Sequence, residues 1–255
     1  MADLTGKTIL VTRPAPRGQF LCELIEAHHG RALFFPTIVF APPPNQLAFQ
    51  TAISHLHEHD WLIFISPQAV LASVDAIHHA YPNGLTQVKI AAIGAGTTQT
   101  LQTAGFTVSL QPDEKWHSEG LLQLPTMQSV AGQSIAIMRG VGGREKVDQV
   151  LAERGAIVTS LFAYERVLPE INQASIAEVL NAENLHAAIC TSFQGVLNLK
   201  TLMGEKHWSF LQKIPLLVMS ERIKSLAEDL GFQTIWVTPQ ASDAAILETL
   251  IAHSS

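Results

Sequence analysis

The sequence predicts an α/β protein built from two doubly wound parallel-sheet domains, and three observations carry that prediction. Short β-prone runs alternate with helical ones along the whole 255-residue chain. The β-prone runs lack clean in/out alternation, as strands do when helices cover both faces of their sheet. The two halves also match each other at one offset: "TILVTR" (8–13) falls on "SIAIMR" (134–139), 126 residues on.

The elements follow in order. "KTILVT" is read as the first strand, and Leu21, Leu24 and Ile25 mark the helix after it. "DWLIFIS" leads into "PQAVLASVDAIHHA", and "KIAAIG" into "AGTTQTLQTAG". In the second half "QSIAIMR" precedes "GGREKVDQVLAERG", "HAAICTS" precedes "FQGVLNLKTLMG", and "IPLLVMS" precedes "ERIKSLAEDLG". Each pair reads as a strand followed by a crossover helix. The 126-residue offset also sets "ISPQAV" (65–70) on "TSFQGV" (191–196) and Gly105-Phe106 on Gly231-Phe232. Near the end it slips to 124, where "SEG" (118–120) meets "SDA" (242–244). Matches at turn positions argue for a duplication better than matches in hydrophobicity, which any two strand–helix units share.

Two proline-bearing stretches interrupt the alternation, "FPTIVFAPPPNQ" (35–46) and "FAYERVLPE" (162–170). Their cores are short and β-prone, with proline after each. They hold equivalent places in the two halves, so they are expected to pair antiparallel and bridge two domains. One domain is then continuous and the other is built from both chain ends.

Composition narrows the function. Hydrophobic residues make up 47% and charged residues 15%, the balance of a packed globular chain. A net charge of −6 with few Lys and Arg argues against nucleic-acid binding. No apolar run approaches the ~18 residues of a spanning helix, and "MADLTGKT" has no secretory character. Cys22 and Cys190 each sit in apolar sequence and read as buried free thiols of a cytoplasmic protein.

The stretch "IAIMRGVGGREK" (135–146) joins a strand, a glycine turn and a helix start, which together form an anion site. A dinucleotide fingerprint needs G-x-G-x-x-G. Here Gly140, Gly142 and Gly143 are followed by Glu145 where the third glycine belongs, and "AIGAGTTQ" has Gln99 there. No Walker motif, G-x-S-x-G, H-E-x-x-H or zinc-spaced Cys/His set is present. "HLHEHD" (55–60) spaces three histidines by two and reads as a solvated helix end rather than a metal site.

What remains is a set of small polar residues at the strand-to-helix turns: Thr12-Arg13, Ser66, Gly94 to Thr97, Arg139 to Arg144, Thr191-Ser192 and Ser220. Singly these are ordinary helix N-caps. As a set at the carboxyl ends of parallel strands they mark a ligand cleft. A hinged, cleft-closing binding protein for a small ligand is compatible with all of this.

The "TRP" after the first strand, "FISPQAV", "AIGAGT", the "RG…GRE" turn with "AERGAIV…AYERV", and "CTSFQGV" occur in an order that resembles the uroporphyrinogen-III synthase family over nearly the whole chain. The resemblance implies two α/β domains joined by a two-stranded β-linker, with substrate in the cleft between them. On this chain the domains would be 1–36 with 169–255, and 42–162, with linker strands 37–41 and 163–168. It implies closure of hydroxymethylbilane to uroporphyrinogen III, with inversion of the terminal pyrrole ring and loss of water, without metal or organic cofactor. The implied partners are that substrate and, transiently, the enzyme supplying it, with no nucleic acid or membrane, for a cytoplasmic monomer.

Carried over residue by residue, Tyr164 matches the family's linker tyrosine and is the catalytic candidate. The substrate-binding candidates are Arg13, Ser66, Gly94, Thr97, Arg139, Gly140, Arg144, Thr191, Ser192, Gly195 and Ser220. Arg13, Arg139 and Arg144 are expected to grip substrate carboxylates. One departure stands out: "MSERIKSLAE" puts Ser220 where the family usually has glycine, so contacts from that loop are expected to be weakened or rearranged.

Overall fold

A computed structural model describes residues 3–113, 118–143 and 145–254. The chain opens with β1 (Thr8–Val11), α1 (Arg17–Ala27), β2 (Arg31–Phe34), β3 (Val39–Ala41) and α2 (Gln46–Ser54). Next come β4 (Trp61–Phe64), α3 (Pro67–Ala80), β5 (Lys89–Ala92), α4 (Ala95–Thr103), α5 (Ser118–Gln123) and α6 (Pro125–Gln128). The second half begins with β6 (Ser134–Gly140), α7 (Lys146–Glu153), β7 (Ile157–Val167) and α8 (Gln173–Leu180). It ends with β8 (Leu185–Cys190), α9 (Phe193–Leu211), β9 (Leu216–Val218), α10 (Glu221–Asp229), β10 (Ile235–Val237) and α11 (Asp243–Ala252).

The chain divides into two compact units, Met1–Val39 with Val167–Ser255, and Phe40–Arg166. The sheet of the first runs β10-β9-β8-β1-β2 and that of the second β3-β7-β6-β4-β5. All four neighbouring pairs of the first sheet are parallel, as are β7-β6, β6-β4 and β4-β5 of the second. At the 126-residue offset β1 matches β6, β2 matches β7, β8 matches β4 and β9 matches β5. Therefore β2-β1-β8-β9 and β7-β6-β4-β5 are one spatial succession reached by two different chain orders. The first unit takes β1-α1-β2 from the first half and β8, β9 and β10 from the second, and the second unit takes β6-α7-β7 from the second half and β3, β4 and β5 from the first.

Burial explains the missing alternation. On β4, Leu62 and Phe64 join one buried cluster while Trp61 and Ile63 join another, so the sheet is apolar on both faces. The first sheet behaves likewise, with Leu10 on one side and Ile9 and Val11 on the other. The turns also repeat. Gly105 and Gly231 follow α4 and α10 with φ of 84° and 87°, a left-handed conformation that suits glycine and ends a helix. Ser66 and Ser192 cap α3 and α9 alike, each accepting from the N–H three residues on.

Some local expectations need refinement. Cys190 is buried but Cys22 only partly. Burial pushes the two thiols up to about 12 and about 11, the neighbouring Glu26 and Glu23 adding to the effect at Cys22, so neither is a ready thiolate at neutral pH. Of the three histidines in 55–60, His59 bonds Ser134 Oγ at 2.8 Å, while His55 and His57 bond their own helix end. Tyr81 ties α3 back to the end of α2. It ends α3, and its hydroxyl donates to the Ser54 carbonyl at 2.9 Å.

Two histidines make stability depend on pH. Burial lowers His186, helped by Lys7, and burial likewise outweighs Glu58 and Asp60 at His59. Among the described residues His186 Nε2 is buried without a partner, beside the Trp236 ring at 5.5 Å. Since the fold disfavours the charged ring, the unfolded chain takes up the proton first as pH falls through the ordinary value of 6.5. Stability is therefore full above that value and is lost as pH drops toward the lowered folded values. Melting temperatures at pH 7.5 and 5.5 should show the fall, and His186→Asn should flatten it. An unchanged slope in that variant would contradict the assignment.

Candidate functional site

In each unit the strand order reverses between two neighbours, β1 and β8 in the first and β6 and β4 in the second. Ligands of doubly wound sheets lie outside the carboxyl ends of the strands at this reversal. Part of the set singled out from sequence lies at those two places, while Gly94 and Thr97 follow β5 and Ser220 follows β9. Arg13 follows β1, and Thr191 and Ser192 follow β8. Ser66 follows β4, and Arg139 and Gly140 end β6.

In the second unit, Tyr164 lies on β7 beside the end of β6 and is only 3% exposed. The register runs Arg139 to Phe162 and then Gly140 to Tyr164, which leaves Ala163 as an extra residue. This β-bulge breaks the alternation, so Ala163 and Tyr164 are both buried in succession and the phenol is turned inward. Its hydroxyl lies 3.3 Å from Ser66 Oγ and accepts from Arg166 Nη2 at 3.1 Å. The Phe40 ring meets it edge-on at 5.3 Å.

Gly140 has a steric reason to be glycine: a Cβ there would come within 2.5 Å of Tyr164 Cζ. Tyr164 also borders a hollow of about 540 Å³ that Phe40, Pro43, Gln50, Gln68 and His79 help to line. Gly94 precedes α4 in extended conformation and offers no side-chain cap, while Thr97 is buried in that helix's first turn. The N–H groups at the start of α4 thus lack a side-chain acceptor from the cap, unlike those at Ser66, Ser192 and Ser220.

In the first unit Thr12, Thr37, Ser192 and Gly195 come together. Thr12 Oγ1 donates to the Ile189 carbonyl at 2.7 Å, and Thr37 Oγ1 to the Thr12 carbonyl at 3.3 Å. Asn198 Nδ2 holds the Thr37 carbonyl at 2.7 Å. A Cβ on Gly195 would meet Ser192 Oγ at 3.0 Å and Thr37 Oγ1 at 3.4 Å. Ser220 caps α10, with the Ile223 N–H donating to its hydroxyl, and Arg222 lies over the Phe193 ring. The residue that departs from the family pattern thus holds a structural position.

Both described arginines of the set are ion-paired within the fold. Arg139 was expected to face a substrate carboxylate, yet it is 1% exposed and paired at 2.6 Å with Asp148 of α7. Asp148 also accepts from Ser160 of β7. Gly143 packs over the guanidinium, so this pair braces the "RGVGG" turn from beneath. Arg13 is ion-paired with Asp243 at the start of α11 and lines an open groove of about 450 Å³ with Arg17, Phe20 and Ser242. Arg144 lies outside the described residues. Asp148, Asp243 and Arg166 are the partners that sequence reading missed. Only Arg166 had a local signal, two residues from Tyr164 on one strand.

Among the described residues no group of three His, Cys, Asp or Glu side chains is placed to hold a metal ion. No described helix is long and apolar enough to cross a membrane. The chain is a duplicated parallel α/β protein with hydroxyls and a buried phenol at its sheet reversals and N–H groups without a side-chain cap at the start of α4, all of them groups able to hydrogen-bond a small polar molecule. The family model described as uroporphyrinogen-III synthase HemD matches residues 19–248. The chain belongs to the uroporphyrinogen-III synthase family.

It is 34% identical to the uroporphyrinogen-III synthase of Escherichia coli (strain K12) over 246 residues, covering 95% of this chain and 99% of that protein. Against the Salmonella typhimurium uroporphyrinogen-III synthase the identity is 32%, with the same coverage. Among solved structures, the Helicobacter pylori 26695 uroporphyrinogen-III synthetase superposes with a TM-score of 0.63 at 16% identity, covering 96% of this chain and 98% of that one. A mutant of the Thermus thermophilus uroporphyrinogen III synthase gives 0.56 at 17%, covering 94% and 96%. These two likenesses speak to the fold.

Proposed function

We propose that this protein closes hydroxymethylbilane to uroporphyrinogen III, inverting the terminal pyrrole ring and releasing water. The observation that carries the reading is the match along almost the full length of two synthases at above 30% identity. Departure of the hydroxymethyl oxygen as water leaves an electron-poor azafulvene. The substituted carbon of the terminal pyrrole attacks it, giving a spiro intermediate that fragments and recloses inverted.

Holding the chain for that attack is a positioning task, worth up to ~7–11 kcal/mol in favourable cases. Tyr164 donates a hydrogen bond to the departing hydroxyl, a role a neutral phenol fills. Substrate carboxylates dock at backbone N–H groups, above all at the start of α4, where Gly94 leaves them without a side-chain cap. Arg13 joins them when it gives up Asp243. Two cysteines without a disulfide fit a cytoplasmic setting.

The test is a product assay with freshly supplied hydroxymethylbilane, oxidation of the products and separation of the porphyrin isomers. Uncatalysed closure yields the type I isomer with ring order unchanged. Predominantly type III product is expected. Type I alone, at the rate of a blank, would leave a polycarboxylate-binding protein without the activity.

A further inference from the structure

We propose that Arg166 is a positioning residue that keeps the Tyr164 hydroxyl in the role of hydrogen-bond donor; this rests on the synthase reading above. A guanidinium carries donors and no acceptor. In the bond from Arg166 Nη2 to the Tyr164 oxygen at 3.1 Å, the phenol can therefore only accept. Its own proton must point elsewhere. The neighbour available is Ser66 Oγ at 3.3 Å, which already accepts from the Ala69 N–H as the cap of α3.

Three further contacts leave the phenol little freedom. The ring lies against Gly140, where even a methyl group would collide with it. Phe40 abuts its edge, and the Arg166 guanidinium carbon sits 5.4 Å from its centroid. The cation also strengthens the donor it leaves free, because a charged neighbour polarises the bond it makes. A hydroxyl arranged in this way presents its proton to Ser66 when the site is empty, and to the departing oxygen when substrate is bound.

Two readouts test this. Arg166→Gln should lower kcat about ten- to a hundredfold, the loss of one charge-assisted bond, with KM little changed. Arg166→Lys, which can still donate, should recover part of it. In a Tyr164→Phe background Arg166→Gln should cost nothing further. An equal loss in that background, or a rise in KM with kcat unchanged, would overturn the proposal and make Arg166 a direct substrate contact or a packing residue.

The second readout does not need activity. In a Tyr81→Phe protein, Tyr164 is the sole tyrosine, and the intensity ratio of its Raman ring doublet reports whether the hydroxyl accepts or donates. Arg166→Met, which carries no donor, should move the ratio toward the donor-only pattern, and no movement would refute the arrangement. If the wild type makes no type III product, the synthase reading fails, while the Raman result still decides what Arg166 does.

Discussion

Arg139→Ala is expected to destabilise the protein by about 3–5 kcal/mol, the loss typical when one partner of a buried ion pair is removed. The guanidinium is 1% exposed, and its partner Asp148 has 15% of its side chain accessible. Without Arg139 that carboxylate keeps, among the described residues, the Ser160 hydroxyl. The packing of Gly143 on the guanidinium would go as well, releasing the turn between β6 and α7. Denaturant unfolding measures the loss directly. Replacing both partners with apolar residues of similar volume should cost much less than the single change, because no charge is then stranded. A loss below about 1 kcal/mol for Arg139→Ala, accompanied by a large rise in KM, would return Arg139 to the substrate-gripping role expected from sequence.

Tyr164→Phe should leave stability nearly unchanged and lower kcat by about 10²–10³-fold, the usual cost of deleting one preorganised donor. Phenylalanine keeps the ring on Gly140 and against Phe40, so the packing survives. What disappears is the hydroxyl shared with Ser66 and Arg166. A fall in kcat and kcat/KM by the same factor marks an interaction made only in the transition state. Activity within twofold of wild type would show that the tyrosine serves packing alone.

The parallel sheets were legible because their strands are apolar on both faces, which period-two patterning cannot disguise. The duplication was legible at turns, where chemistry is least interchangeable: Gly105 and Gly231 share a left-handed conformation, and Ser66 and Ser192 share a capping bond. The sheet order was not, since β1-β8 and β4-β6 pairing depends on contacts remote in sequence. The carboxylate partners of Arg139 and Arg13 were hidden for a related reason. A glycine turn flanked by arginine reads as an anion grip, but Asp148 arrives from the following helix and Asp243 from 230 residues away. Whether a cation faces solvent or a buried carboxylate is decided by packing. The bulge at Ala163, which turns Tyr164 inward, likewise has no glycine or proline to announce it.

The most direct test of the central claim is a titration of isomer yield against enzyme concentration. A fixed amount of hydroxymethylbilane is converted at enzyme-to-substrate ratios far below one, and the type III fraction is measured at completion. A synthase that turns over should bring nearly all product to type III while still greatly substoichiometric, with the remaining type I set only by the uncatalysed rate. A type III fraction that never rises above the blank, or that rises only in step with the amount of protein added, would contradict catalysis by this chain.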